Sequence, residues 1–253
     1  MTAADDHALA RELAAEAGRR LLELRAHGGD PDVLRKAGDR LSHEFLVAAL
    51  ADRRPGDVVL SEEAADNPVR LSASRVWIVD PLDGTREFGE PGRTDWAVHV
   101  ALWERTSRDL TAGAVALPAQ GRVLSTADAA REDVGTSTQR LRIVVSRTRA
   151  PWFVRDISDL IGAEPVPLGS AGAKVAAVVC GEAEAYVHGG GFYEWDTAAP
   201  VAVARAAGFH ASRIDGSPLV YNQADLRMPD ILVCRPALAG TLLQAIREVT
   251  NAR

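Results

Sequence analysis

The chain has 253 residues, of which 47% are hydrophobic and 25% charged, a composition that excludes a disordered, collagen-like or coiled-coil protein. It is long enough for one large domain or two small ones with a sizeable core. The net charge of -6 excludes a general binder of nucleic-acid polymers, because duplex binding needs a concentrated basic surface.

The acidic start Met1-Thr2-Ala3-Ala4-Asp5-Asp6 has neither the basic end nor the apolar run of a secretory signal. No stretch approaches the roughly 18 apolar residues of a membrane helix, so the expectation is a cytoplasmic protein without integral membrane association. Leu9, Leu13, Ala17, Leu21 and Leu24 fall at helical spacing and predict a helix over 7–26, stopped by Gly28-Gly29. A second helix is predicted over 39–54, with Asp39 at its start. Short β-rich runs follow at 58–60, 75–80, 96–103, 112–117 and 122–125. The run at 96–103 is apolar on both faces, which predicts a strand sandwiched between layers.

The small, polar stretch 128–139 predicts a boundary between an α+β metal-binding half, 1–135, and an α/β half, 136–253, that completes the substrate site. The second half reads as strand 142–146, helix 152–161, helix 174–180, strand 185–188, helix 196–207, strand 231–234 and helix 237–249. Such alternation predicts layered helices and sheets. Cys180 and Cys234 lack a metal-ligand spacing and read as reduced, packed thiols, so zinc is not supported. Only Lys36 and Lys174 are lysines, against 27 arginines.

The segment Trp77-Ile78-Val79-Asp80-Pro81-Leu82-Asp83-Gly84-Thr85-Arg86-Glu87-Phe88 carries the most chemistry. An apolar strand delivers Asp80 to its end, Pro81 interrupts the ladder, and Gly84 permits a tight turn. Two carboxylates three residues apart on such a turn can converge on one point. Leu60-Ser61-Glu62-Glu63 likewise ends an apolar run, and Asp39 and Asp196 head predicted helices, where either could instead be a plain cap. Oxygen donors at element ends, with little His or Cys nearby, suit Mg²⁺ rather than zinc. Glu63 reads as a solvated neighbour. Trp195 reads as a packing residue that fixes Asp196, and His188-Gly189-Gly190-Gly191 as a strand-end loop, since it lacks the phosphate-loop pattern.

The string resembles the W-I-x-D-P-x-D-G-T of the inositol monophosphatase superfamily of metal-dependent, lithium-sensitive phosphatases. Leu60-Ser61-Glu62-Glu63, Trp195-Asp196-Thr197-Ala198-Ala199 and Gly216-Ser217-Pro218-Leu219-Val220-Tyr221 agree with it. Gly84-Thr85-Arg86-Glu87-Phe88 and Ser146-Arg147 are similar to the CysQ-type 3'(2'),5'-bisphosphate nucleotidase branch. The resemblance implies a layered αβαβα sandwich, an α/β (α+β) fold, and hydrolysis of 3'-phosphoadenosine 5'-phosphate to AMP and phosphate. It also implies two or three Mg²⁺ ions, inhibition by Li⁺, a small phosphate ester as partner and a homodimer.

Roles follow from the same resemblance. Glu62, Asp80 and the Leu82 carbonyl would hold one Mg²⁺; Asp80, Asp83 and Asp196 would hold a second; Asp39 would act through water on a third. Glu62 and the Thr85 hydroxyl would orient and deprotonate the attacking water. Gly84 and Thr85 would receive the phosphate on their N–H groups, with Ser146, Lys174 and Asp196 completing the substrate site. Lys36 stands where the family has Thr, as a second-phosphate contact or a solvated flank, and Lys174 is a second-phosphate contact or an ordinary helix-start lysine. Pro200 departs from the family's Gly and is expected in a helix's first turn.

Alternatives remain at this point. Inositol-1-phosphate or fructose-1,6-bisphosphate could be the substrate. A haloacid-dehalogenase phosphatase also carries Asp-Gly-Thr, but with its two aspartates two apart rather than three. An inactive metal- or phosphate-binding scaffold is the non-enzymatic reading.

Overall fold

The computed structural model describes residues 3–128 and 140–251. The predicted junction near residue 135 lies outside the described residues. Helices α1 (Ala3–Ala26) and α2 (Pro31–Arg53) are followed by β1 (Val58–Ser61), β2 (Arg75–Asp83), the short α3 (Thr85–Gly89), β3 (Ala97–Glu104), β4 (Asp109–Leu117) and β5 (Arg122–Ser125). Then come β6 (Arg142–Ser146), α4 (Phe153–Ile161), β7 (Glu164–Leu168), α5 (Ala171–Val179), β8 (Ala185–His188), β9 (Phe192–Tyr193) and α6 (Glu194–Ala206). The chain continues through β10 (His210–Ser212), β11 (Arg227–Met228), β12 (Ile231–Cys234) and α7 (Pro236–Asn251).

The first sheet has the order β1-β2-β3-β4-β5 and the second β10-β12-β8-β6-β7. Alternation along the strands explains the layers. Trp77 and Val79 of β2 join Leu13, Leu21, Leu46 and Leu50 of α1 and α2, while Val76 and Ile78 face the other way, into a core with Val178, Val201 and Tyr186. In the second sheet Val144 joins that central core, whereas Ile143 and Val145 pack with Phe153, Ile157, Leu242 and Ile246 of α4 and α7. Two helices, a sheet, the α5/α6 pair, a second sheet and two outer helices make the expected αβαβα sandwich. β3 lies inside it and is apolar on both faces for that reason. Among the described residues no helix is long and apolar enough to cross a membrane.

Three local expectations are corrected. α2 starts at Pro31, so Asp39 is no cap but lies two turns inside the helix. The Asp30 carboxylate caps it instead, accepting from the N–H groups of Asp32 and Val33 at 3.0 and 3.1 Å, with Pro31 at the first helical position. The buried stripe that defines this helix includes Gly38 and Ser42, small residues that conceal the periodicity. Gly38 is small because a Cβ there would stand 2.8 Å from the Phe88 ring and 3.0 Å from Leu82, so α2 presses directly on the Asp83-Gly84 turn.

α6 starts at Glu194, which puts Asp196 at its third position, accepting from the Tyr193 N–H at 2.6 Å. Pro200 therefore lies in the second turn, where its missing N–H leaves the Asp196 carbonyl without its usual helical partner. α5 starts at Ala171, a turn earlier than expected, because Ser170 Oγ caps it by accepting from the Ala173 N–H at 3.0 Å.

Candidate active site

β2 is the axis of the site. Asp80 pairs across the ladder with His99 and Asp83 with Ala97, so the register slips between them where Pro81 removes a donor. Gly84 then turns with φ of 85°, and a Cβ there would crowd Ser170, Asp95 and Trp96 at 3.2–3.3 Å. That turn swings Thr85 back: its hydroxyl lies 3.0 Å from the Leu82 carbonyl and 3.4 Å from Asp39 Oδ1.

Asp80 and Asp83 are both buried, yet their surroundings differ. Asp80 Oδ1 accepts from the Leu82 N–H at 3.0 Å, while its Oδ2 is buried without a hydrogen-bond partner. Asp83 Oδ2 accepts from Ser170 Oγ at 2.5 Å and from the Gly172 N–H at 2.8 Å, and His99 Nε2 stands 3.2 Å away. Burial raises the Asp83 pKa, but His99, Lys174 and Ser170 together hold it below the usual carboxylate value. Burial, with the charges of Glu62, Asp83 and Asp196, pushes Asp80 well above its ordinary value.

The remaining acidic groups behave like Asp80. Glu62 keeps an exposed outer side, but desolvation by the surrounding protein and the neighbouring Asp196 raise it to about 8. Asp196 is raised to about 6 by burial and then by Asp83, and Asp39 to about 7 by burial and then by Glu63. Carboxyls that hold protons this far up are short of positive charge. Their hard oxygens, with the unpartnered Asp80 Oδ2 among them, fit a divalent cation such as Mg²⁺. Asp80, Asp83 and His99 bring ligand-type atoms within 4.8 Å of one another. The histidine ring is anchored by its Nδ1–H, which donates to the Trp195 carbonyl at 3.1 Å, while its buried Nε2 lies 3.2 Å from Asp83 Oδ2.

Asp83 and Asp196 line a cleft of about 560 Å³ together with Gly84, Thr85, Ser146 and Lys174, so every residue expected at the substrate is on it. Arg147, Arg149, Tyr186, His188 and Phe192 share its wall and were not singled out as site residues by the spacing. Arg147 is neutralised by Glu87 and Glu90, at 2.7 and 2.9 Å. Arg149 is exposed on the cleft wall and gives a guanidinium N–H to the Gly191 carbonyl at 3.1 Å. Lys174 is buried, its ammonium donating to the carbonyls of Gly169 and Ser170, and burial lowers its pKa to about 8. It thereby ties down the turn that presents Ser170 to Asp83. Lys36 is exposed and is not on the cleft wall, which makes it a solvated flank.

Trp195 packs as expected, stacked on Tyr193 with ring centroids 4.9 Å apart. His188, stacked on Phe192 at 5.1 Å, begins a loop in which Gly190 and Gly191 both have positive φ. His99, Ser170 and Gly172 are the members of the site that sequence spacing left unassigned. Ser170 and Gly172 fall in the small-residue run Gly169-Ser170-Ala171-Gly172-Ala173-Lys174, and His99 is hidden in an unbroken apolar strand.

The inositol monophosphatase family model matches residues 5–251. The chain is 53% identical, over 255 residues, to the 3'-phosphoadenosine 5'-phosphate phosphatase of Mycobacterium leprae, covering 96% of this chain and 94% of that protein. It is 32% identical over 229 residues to the 3'(2'),5'-bisphosphate nucleotidase CysQ of Escherichia coli, covering 83% and 91%. The crystal structure of CysQ from Bacteroides thetaiotaomicron superposes with a TM-score of 0.77 at 27% identity, covering 91% of this chain and 97% of that one. Matched from its first helix to its last, the chain belongs to the inositol monophosphatase family.

Proposed function

We propose that this protein hydrolyses 3'-phosphoadenosine 5'-phosphate to AMP and phosphate with Mg²⁺, in the cytoplasm, clearing a by-product of sulfate assimilation. The observation that carries the reading is a single cleft, of nucleotide-sized volume, that joins the Asp83 and Asp196 carboxylates to the basic Lys174 and Arg149. An ester with two phosphates has a use for both. The names of the relatives at 53% and 32% identity support the same substrate class.

In this reading Glu62, Asp80 and the Leu82 carbonyl hold one Mg²⁺, and Asp80, Asp83 and Asp196 a second, with Asp39 acting through water on a third. Bound Mg²⁺ supplies a lowered pKa for the attacking water and a counter-charge for the leaving oxygen. The chain supplies position. The Thr85 hydroxyl, held between the Leu82 carbonyl and Asp39, orients the water, and Glu62 takes its proton. The N–H groups of Gly84 and Thr85 receive the reacting phosphate, and Asp196 also faces the substrate. Ser146 and Lys174 serve the second phosphate. Phosphoryl transfer gains mainly from such positioning and charge stabilisation, so no covalent nucleophile is required. The reading includes inhibition by Li⁺ and a homodimer.

The test is phosphate release from matched low concentrations of 3'-phosphoadenosine 5'-phosphate, inositol-1-phosphate and fructose-1,6-bisphosphate, each with Mg²⁺, with EDTA, and with Mg²⁺ plus Li⁺. Preference for the nucleotide, lost in EDTA and suppressed by Li⁺, is the expected result. Equal or better turnover of a sugar phosphate would overturn the substrate and keep the metal chemistry.

A further inference from the structure

His99 is fully buried on β3, directly across the ladder from Asp80. Its two nitrogens face different elements: Nδ1–H donates to the Trp195 carbonyl at 3.1 Å, and Nε2 lies 3.2 Å from Asp83 Oδ2. The Trp195 contact is a hydrogen bond, and the Asp83 contact is a close buried approach of imidazole to carboxylate. One side chain from the middle of the first sheet thus joins the carboxylate at the end of β2 to the residue before Asp196 in α6. The fit is close. A Cβ on Gly172 would collide with Nε2, and the Gly172 N–H donates to the same Asp83 oxygen at 2.8 Å. With Ser170 Oγ at 2.5 Å, three groups converge on Oδ2.

We propose that His99 is a positioning residue, a cross-brace that fixes Asp83 against the Trp195-Asp196 start of α6 so that carboxylates from two separate elements meet one cation. The inference rests on the reading of Asp83 and Asp196 as metal ligands. Partners that orient a ligand in this way are worth roughly 10–100-fold in metal affinity. Gly172 belongs to the same device, because its missing side chain is the space the ring occupies.

Calorimetric titration of the purified protein with Mg²⁺ alone tests it, alongside kcat and KM for 3'-phosphoadenosine 5'-phosphate. His99→Leu keeps much of the volume and removes both polar contacts. The expected result is Mg²⁺ affinity weakened by about tenfold or more, a lower kcat at subsaturating Mg²⁺, and KM within about twofold of wild type, with an unchanged circular dichroism spectrum in EDTA. A folded His99→Leu that binds Mg²⁺ like the wild type would overturn the brace. Should that variant not fold, the pair Gly172→Ala and His99→Ser/Gly172→Ala decides. If the ring braces, relieving the collision restores folding but leaves Mg²⁺ binding weak; if it only fills space, the double variant regains wild-type binding and the inference falls. Wild-type protein that binds no Mg²⁺ would overturn the metal reading itself, an outcome separate from equal binding by wild type and variant.

Discussion

Asp80 and Asp83 stand three residues apart on one strand end, both buried, and are served in opposite ways. On the Asp83 side the protein provides a hydroxyl, a backbone N–H and an imidazole, and the carboxylate stays ionised. On the Asp80 side it provides one backbone N–H, leaves Oδ2 bare, and crowds in Glu62 and Asp196. A fold that can satisfy one buried carboxylate so fully leaves its neighbour unsatisfied at a cost, since an unpaired buried polar group is worth about 1–3 kcal/mol or more. The difference teaches that Asp83 is prearranged by protein, whereas the Asp80 side lacks positive charge, which is what the proposed cation would supply.

The largest effect expected from disturbing this contrast is in Asp83→Asn. The amide would turn an NH₂ or a neutral oxygen toward donors arranged for a carboxylate. Turnover should fall by about 10²–10³-fold while circular dichroism shows a native fold; retained turnover would remove Asp83 from the chemistry.

Next is the pH dependence of the metal-free protein. Glu62 and Asp196 have folded pKa values raised to about 8 and about 6 from 4.5 and 3.8. The folded state therefore holds more protons than the unfolded one between those limits, and stability falls as pH rises through them. In EDTA the melting temperature should drop from about pH 5 to pH 8.5. Mg²⁺ binds only the folded state and should lift it most at the alkaline end. A melting temperature in EDTA that climbs over this range would reverse the assignment of these carboxyls.

Ser170→Ala sharpens the comparison from the satisfied side. It removes a donor from Asp83 and the cap of α5, so it should cost about 1 kcal/mol in urea unfolding and reduce turnover by roughly tenfold. Stability lost without activity would make Ser170 a cap alone. The smallest effect is expected for Lys36→Ala, exposed and off the cleft wall, with kcat and KM unchanged within about twofold.

The legible parts of the molecule were those with short-range causes. Strand periodicity and the Trp77–Phe88 string give the layered fold and locate Asp80, Asp83 and Thr85. Where the cause was a contact between distant segments, sequence was silent. Gly38 interrupts the apolar period of α2 because Leu82 and Phe88 press on it, Ser42 is a second small residue in the buried stripe, and the periodicity therefore predicts a start only at Asp39. β7 carries Pro165 and Pro167 yet pairs in parallel with β6 at the sheet's edge, where missing N–H groups are tolerated. His99 looks like one more position in a buried strand, and only the arrival of Gly172 and Trp195 beside it gives its ring something to hold.

The most direct test of the account is the Mg²⁺ dependence of phosphate release from 3'-phosphoadenosine 5'-phosphate, measured in wild-type protein and in Asp80→Asn after exhaustive treatment with EDTA. Wild-type activity should be absent without metal and return saturably with Mg²⁺, while Asp80→Asn should require far more Mg²⁺ or not recover. Full turnover in EDTA, or an Asp80→Asn protein with the wild-type Mg²⁺ response, would contradict it.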